Sequence, residues 1–245
     1  MRVHAHAVAD RSPPVFDLQG FGDQLLLGTL MTLRVGAGGL LVGLVLGLIG
    51  ASLKLSRSRI AYAIGATYTT IIRGLPELLV VLIIYFGSAT LLTRVGSWFG
   101  YDGYIELSPL AAGITALGIA FGAYATEVFR GAIQAIPPGQ IEAALACGMS
   151  RTQTFFRITL PQAWRVAIPG LGNLFQVLLK DTSLISVVGL EEIIRKSQIA
   201  ISNTREPFTF YFVAALIYLS ITVIVMFGQR YAEAWARRGM ERRVE

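Results

Sequence analysis

The sequence has few of the residues from which disulfide, metal and nucleotide sites are usually built. Its 245 residues include one cysteine, Cys147, and two histidines, His4 and His6. A single cysteine excludes an intrachain disulfide framework and a metal site made of this chain's thiolates. No GxxxxGK[ST] phosphate-binding loop is present, which argues against ATP binding of the usual kind. The apolar segments contain no HExxH, no serine–histidine pair and no paired aspartates, which argues against an intramembrane enzyme.

Charged residues are also scarce. Only 15% of residues are charged whereas 54% are hydrophobic, and the mean hydropathy is +0.61. A soluble chain of this length needs more polar surface, so several segments must lie in lipid. A helix needs roughly 20 mostly apolar residues to cross a bilayer core about 30 Å thick. The sequence therefore predicts an all-α, polytopic membrane protein with about five transmembrane helices, near 24–50, 75–92, 109–134, 168–190 and 207–228.

The net charge of +6 is compatible with nucleic-acid binding, but the distribution of the positive residues indicates membrane topology instead. Arginine and lysine cluster after the first apolar segment, between the third and fourth, and after the fifth. The positive-inside rule then places the N-terminus outside and the C-terminus in the cytosol. We expect an extracytoplasmic N-terminal tail (1–23), a transmembrane domain (24–230) and a basic cytosolic tail (231–245). The N-terminal tail lacks the apolar core of a cleavable signal.

The cytosolic segment 135–161 differs in composition from the apolar segments around it. Pro138 suits the first turn of a helix, where a missing N–H costs little. Gly148 suits the left-handed position after the end of that helix. Ser150 and Gln153 form a capping-box pattern for a second helix. The sequence therefore predicts a helix, a glycine turn and another helix at the membrane surface.

Two further expectations concern the same segment. Pro161 is expected to stop the second helix, because proline lacks an N–H and clashes with the preceding turn. The alanines at 143, 144 and 146 give the first helix a smooth face. From the residues alone, that face suits either docking into another protein or resting on lipid.

A longer pattern in this segment resembles a known family. The pattern begins with Glu142, Ala143 and Ala144, and continues at fixed spacing with Gly148, Ile158, Leu160 and Pro161. It resembles the EAA loop of ABC-importer permeases. The resemblance implies a type I (MetI-like) permease fold and a coupling helix that docks into a cleft of a separate ATPase subunit. In that arrangement Glu142 makes a polar contact to the ATPase, while the alanines and Gly148 supply shape.

Other motifs are similar to the polar amino acid group of that family. They are RGLP at 73–76, GAYATEVFRGAI at 122–133 and LKDTSLISVVGLEE at 179–192. The chain most resembles the Q-type subunit for basic amino acids (histidine, lysine, arginine, ornithine) and opines, over nearly its whole length after about Gly20. The resemblance implies a permease subunit of the bacterial cytoplasmic membrane that imports such substrates.

The resemblance also implies partners. These are two ATPase copies that carry ATP and Mg, a second related permease subunit in a heterodimer, and an external substrate-binding protein. This chain itself is expected to need no cofactor and no metal, and to bind no nucleic acid. A homodimer is an alternative assembly. An ion-coupled carrier or channel without an ATPase is an alternative function, but it requires a repeat or a second half that the five segments do not show.

Charged residues at membrane depth cost roughly 2.5 to 3.5 kcal/mol each on insertion scales, so each needs an explanation. Glu127 and Arg130 lie three residues apart on one helical face and are predicted to form a structural pair. Lys180 and Asp181 point in different directions on a helix. They are expected to mark the outer end of the fourth span, as a gate or a bend.

Glu77 follows a predicted break in the chain at Arg73, Gly74 and Pro76. Two interpretations of this carboxylate stay open. It faces the translocation path and favours a cationic substrate, or it pairs with Arg73 four residues earlier. The candidates for the substrate pathway or gate are therefore Arg73, Glu77, Lys180, Asp181, Thr182 and Ser183.

Overall fold

The computed structural model describes residues 18–101 and 103–237, without the side chain of Arg237. This part of the chain is helical and contains no β-strand. The helices are, in chain order, α1 (Gly22–Lys54), α2 (Arg59–Gly74), α3 (Glu77–Trp98), α4 (Pro109–Gln134), α5 (Pro138–Ala146), α6 (Arg151–Thr154), α7 (Leu160–Asp181), α8 (Ile193–Thr204) and α9 (Pro207–Arg237). A π-helical turn (Phe155–Thr159) joins α6 to α7, and a 3-10 helix (Thr182–Val188) follows α7. Most of both predicted tails, 1–17 and 238–245, lies outside the described residues.

Five helical stretches of the described chain are long and apolar enough to cross a membrane. They are α1, α3, α4, the stretch Arg151–Val188 and α9. The prediction of an all-α protein with five transmembrane helices is confirmed. The fourth span begins well before the predicted residue 168, and α9 continues beyond the predicted boundary at 230.

The centre of the bundle is the contact between α1 and α4. Gly39, Gly43 and Gly47 are buried on the α1 side of this contact. A Cβ atom added at Gly43 would lie 3.0 Å from the carbonyl oxygen of Gly118, and one added at Gly118 would lie 2.6 Å from Cγ1 of Val42. Small residues at four-residue spacing let the two backbones approach this closely. The side chains of the two helices are therefore held in one relative rotation.

The break before the second span lies where the sequence predicts it. α2 begins after Ser58, whose hydroxyl accepts the N–H of Ala61. The hydroxyl of Tyr68 donates to the carbonyl oxygen of Ile119 at 2.7 Å and connects α2 to α4. Burial raises the pKa of this tyrosine to about 12. α2 ends at Gly74, and α3 starts directly after Pro76.

The segment between the third and fourth spans contains the expected helix, glycine turn and capping box. α5 is followed by Gly148, whose φ of +84° lies in the left-handed region. The Ser150 hydroxyl accepts the N–H of Gln153 at 3.2 Å, and the Gln153 side chain accepts the N–H of Ser150 at 2.9 Å. The local sequence therefore determines the conformation of this turn.

The prediction that Pro161 stops the second helix is wrong, because helical structure continues from Arg151 to Asp181. In a regular α-helix the proline ring clashes with the carbonyl group four residues earlier, here that of Arg157. Arg157 lies in the π-helical turn, in which an N–H bonds to the carbonyl group five residues earlier. This wider turn gives the proline ring the space that a regular α-helix lacks. The side chain of Gln162 donates to the carbonyl oxygen of Ile158 at 3.0 Å and satisfies an acceptor in that turn.

Candidate functional site

A cavity of about 230 Å³ lies between α3, α4 and α7 inside the bundle. Its polar groups are the carboxylates of Glu77 and Asp181 and the hydroxyl of Tyr124. Glu77 is the first residue of α3, and Asp181 is the last residue of α7. Apolar side chains of α4 and α7 form the rest of the wall. Two helix ends and the middle of a third helix thus bring these polar groups to one place.

The two carboxylates of this cavity lack a cationic partner among the described residues. Tyr124 donates a hydrogen bond to Oε1 of Glu77 at 3.3 Å. Neither Glu77 nor Asp181 forms an ion pair with another residue in the described part of the chain. The cavity therefore brings two acidic groups together without an ion-paired cation, an arrangement that favours a cationic molecule over a neutral one.

Arg73 lies beside this cavity but does not pair with Glu77. Its guanidinium carbon lies 5.2 Å from the centroid of the Tyr124 ring, which is a cation–π contact. Because the helix is broken at Leu75 and Pro76, Arg73 and Glu77 do not lie on one face of a continuous helix. In the structure Glu77 lines the cavity and forms no ion pair with Arg73.

The remaining pathway candidates lie elsewhere. Lys180 and Ser183 line a separate groove with Tyr211 and Tyr218 of α9. Thr182 is fully buried, and its hydroxyl donates to the carbonyl oxygen of Leu179 at 2.7 Å. Neighbouring positions on a helix point in different directions, so Lys180 and Asp181 line different spaces.

A second polar cluster joins α1, α2 and α4 near the end of α1. Nζ of Lys54 lies 2.5 Å from Oε1 of Glu127 and 3.1 Å from the hydroxyl oxygen of Thr69. Nη2 of Arg130 lies 2.8 Å from Oε2 of the same glutamate. The predicted partners Glu127 and Arg130 thus lie together, and Lys54 is a further partner that the sequence analysis missed. The sequence signal for this pair was a lysine at the end of one apolar segment and an acidic residue within another.

The EAA-like residues lie on or near the surface of the cytosolic segment. Glu142 and Ala143 are exposed, and Glu142 has no hydrogen bond or ion pair with other described residues. Ala144 is buried, with 7% of its surface exposed. Gly148 and Pro161 are exposed, whereas Ile158 and Leu160 are half-buried. The segment therefore offers a carboxylate and a small side chain to a partner.

Tyr124 is the other functional candidate that the sequence analysis missed. It is the one tyrosine of α4, and small residues surround it in the block GAYATEVFRGAI. A phenol among alanines and glycines of a membrane helix needs a hydrogen-bond partner. The sequence therefore indicated that Tyr124 has a hydrogen-bond partner, but not that this partner is Glu77.

Comparison with known proteins gives a consistent family. Residues 41–238 match the family described as "binding-protein-dependent transport system inner membrane component". The nopaline transport system permease protein NocQ of Agrobacterium fabrum is 46% identical over 222 residues, which are 90% of this chain and 94% of that protein. The octopine transport system permease protein OccQ of Rhizobium meliloti is 44% identical and covers 94% of this chain and 97% of that protein. The histidine/lysine/arginine/ornithine transport system permease protein HisQ of Escherichia coli K12 is 44% identical, over 84% of this chain and 90% of that protein.

Solved structures share the fold. A chain in the crystal structure of an amino acid ABC transporter with histidines has a TM-score of 0.78 at 30% identity, covering 91% of this chain and 99% of that chain. A chain of the inward-facing MetNI methionine ABC transporter has a TM-score of 0.61 at 19% identity, over 90% of this chain and 96% of that chain. The second likeness concerns the fold alone. The predicted type I (MetI-like) permease fold is confirmed.

Proposed function

This chain belongs to the family of binding-protein-dependent transport system inner membrane components, and we propose that it is the permease subunit of an ATP-driven importer of basic amino acids or opines. The relatives that it matches over most of their length are permease proteins for nopaline, octopine and histidine/lysine/arginine/ornithine. The chain is a multi-pass protein of the inner membrane, with five helices apolar enough to span it. It has no phosphate-binding loop, so ATP and Mg bind to a separate ATPase.

One observation supports a cationic substrate, namely the unpaired carboxylates of Glu77 and Asp181 in one cavity. Arginine, lysine and ornithine each carry two cationic groups and one carboxylate at neutral pH. The cavity and its edge offer the complement, with two carboxylates and the guanidinium of Arg73 beside Tyr124. Charge complementarity of this kind selects a cationic side chain over a neutral one of similar size.

The exposed part of α5 is the surface on which the ATPase dimer acts. Glu142 supplies the polar contact, and the exposed Ala143 and Gly148 supply the shape, whereas Ala144 is buried on the inner side of α5. The helical stretch that starts at Arg151 runs through α7 to Asp181, which lines the cavity. This continuous stretch, which includes Ile158, Leu160 and Pro161, carries movement of the cytosolic segment to the substrate cavity. The ion pair of Glu127 with Lys54 holds α4 and α1 in register during that movement, and Arg130 supports Glu127 from within α4.

The remaining features of the assembly are proposals as well. The N-terminus lies outside and the C-terminus in the cytosol, since positive residues concentrate near the ends of α1 and α9 and around α6. A single chain of five spans encloses no complete pathway, so a second related permease completes it, most simply as a heterodimer. A soluble binding protein delivers the substrate on the outer side.

The substitution Glu77→Gln tests the substrate assignment in the assembled importer. Uptake of arginine and of a neutral amino acid is measured in competition, with Glu106→Gln as the control because Glu106 is exposed outside the cavity. We expect Glu77→Gln to lower the preference for arginine about tenfold, or about 1.4 kcal/mol, and Glu106→Gln to leave it unchanged. An unchanged preference in Glu77→Gln and Asp181→Asn would remove the selective role of the cavity.

A separate measurement distinguishes the importer from the ion-coupled alternative. Uptake into cells is followed after deletion of the ATPase gene, and again after collapse of the ion gradients with the ATPase and ATP supply intact. An importer of the proposed kind loses uptake in the first case and retains it in the second. The opposite result would identify an ion-coupled carrier.

A further inference from the structure

A second large groove lies on the outside of the bundle, away from the substrate cavity. Its volume is about 440 Å³, and it is formed where α1, α7 and α9 meet. The residues that line it are Leu48 of α1, Leu160, Pro161, Trp164 and Arg165 of α7, and Trp235 of α9. The groove is thus apolar apart from one guanidinium group and two indole N–H groups.

The groove lies at the end of the bundle where the positive residues concentrate. α1 ends at Lys54, α7 begins at Leu160 and α9 ends at Arg237, so all three helices contribute residues from the same end. Leu48, Trp164 and Trp235 are 38%, 40% and 53% exposed. Tryptophan is enriched where the headgroup region of a bilayer meets its hydrocarbon core. The groove therefore faces lipid at the depth of the headgroups.

The wall of the groove is held in place by packing. The ring of Trp164 stacks on Phe129 of α4, with centroids 5.9 Å apart and an angle of 21° between the planes. Phe129 is buried with 3% of its surface exposed. Because the ring is anchored from the bundle side, its other face stays available to a molecule in the groove.

The guanidinium group at the groove is unpaired within the part of the chain that the structure describes. Arg165 forms no ion pair with another residue in the described ranges, and no carboxylate lines the groove. A guanidinium group matches the geometry of a phosphate, with which it forms two parallel hydrogen bonds. A groove that joins an apolar wall to one unpaired guanidinium complements a molecule with an apolar chain and a phosphate.

We propose that this groove binds an acidic phospholipid of the surrounding bilayer. An acyl chain lies against Leu48 and Trp235, and the phosphate headgroup pairs with Arg165 at the rim. Basic pockets between membrane helices are a known setting for anionic headgroups. The site is separate from Glu77 and Asp181, and its existence does not depend on which solute is transported.

The test compares lipid retention by the full-length protein in mild detergent, using native mass spectrometry with added phosphatidylglycerol or phosphatidylcholine. The variants are Arg165→Gln and the matched control Arg230→Gln. Arg230 is exposed near the same end of α9 and does not line the groove. We expect Arg165→Gln to lower phosphatidylglycerol retention about tenfold, the loss expected when a charge-assisted hydrogen bond to the phosphate is removed, and Arg230→Gln to leave it unchanged.

A second variant separates loss of binding from loss of folding. Leu48→Trp fills the apolar part of the groove and keeps Arg165, so it should displace the lipid while the protein keeps its elution volume. Equal retention of the two lipids by the unchanged protein would overturn the proposal. Unaltered retention in Arg165→Gln, or an equal loss in Arg230→Gln, would also overturn it. Displacement of the lipid by inorganic phosphate would show that the groove binds phosphate rather than a lipid. Crosslinking of Trp235 to another polypeptide in native membranes would show that a protein covers the groove instead.

Discussion

Lys54 in the last turn of α1 forms an ion pair with Glu127 of α4, and the nitrogen and oxygen atoms lie 2.5 Å apart across 73 residues of sequence. The side chains are only 13% and 20% exposed. Lys54 also donates to the hydroxyl of Thr69, and Arg130 binds the other oxygen of Glu127. The ammonium group of Lys54 thus connects α1 to both α2 and α4 at the end of the bundle that leads to the cytosolic segment.

Substitution of Lys54 by methionine should lower the free energy of unfolding by about 2 kcal/mol, because it removes one partner of a largely buried pair. Arg130→Met is the matched comparison and should cost less, since the Arg130 side chain is 34% exposed and lies closer to water. Thermal unfolding of the protein in detergent measures both effects. Equal losses in the two variants would show that Lys54 has no special role.

Gly148→Ala should strain the turn after α5 by about 1 kcal/mol, because the φ of +84° disfavours any residue with a Cβ atom. Gly139→Ala is the control, since Gly139 lies in α5, has open space at its Cβ position and needs no positive φ. The expected result is a lower ratio of substrate uptake to ATP hydrolysis in Gly148→Ala alone, with the ATPase still attached. Gly148→Asn should recover part of the loss, because asparagine tolerates the left-handed conformation. Normal uptake in both alanine variants would contradict the lever role of this turn.

Glu192 should make stability depend on pH. Its side chain is fully buried, accepts the N–H of Arg195 at the start of α8 at 2.9 Å and accepts the hydroxyl of Tyr218 at 2.9 Å. Burial raises the pKa of Glu192 above the ordinary 4.5, although these hydrogen bonds oppose the shift. The folded protein therefore holds the proton more tightly than the unfolded chain does. The stabilisation is complete below pH 4.5 and is lost as the pH rises through the higher pKa of the folded state.

The measurement is the unfolding temperature in detergent as the pH is raised from acid to neutral. Glu192→Gln should remove this part of the pH dependence, since the amide does not titrate. Glu191→Gln serves as the control because the Glu191 side chain is 58% exposed and pairs with Lys196. A pH profile of Glu192→Gln that matches that of the unchanged protein would assign the dependence to other groups.

Several features of this protein follow from short stretches of sequence. The five spans can be predicted from the sequence because the length and hydropathy of a segment decide whether it crosses a bilayer. The capping box of Ser150 and Gln153 and the glycine turn at Gly148 depend on residues within a few positions of each other. The break at Pro76 is equally local, because proline begins a helix more easily than it continues one.

The partners of the polar residues were decided only by the tertiary structure. The sequence predicts Arg130 as a partner of Glu127 from their spacing, but Lys54 reaches the same carboxylate only because close glycine contacts fix the rotation of α1 on α4. The sequence also does not place Tyr124 beside Glu77. Hydropathy and capping act between neighbours along the chain, whereas ion pairs and cavities depend on how whole helices rotate and pack. The amino-acid sequence alone therefore determined the spans and turns, and packing determined which charged side chains meet.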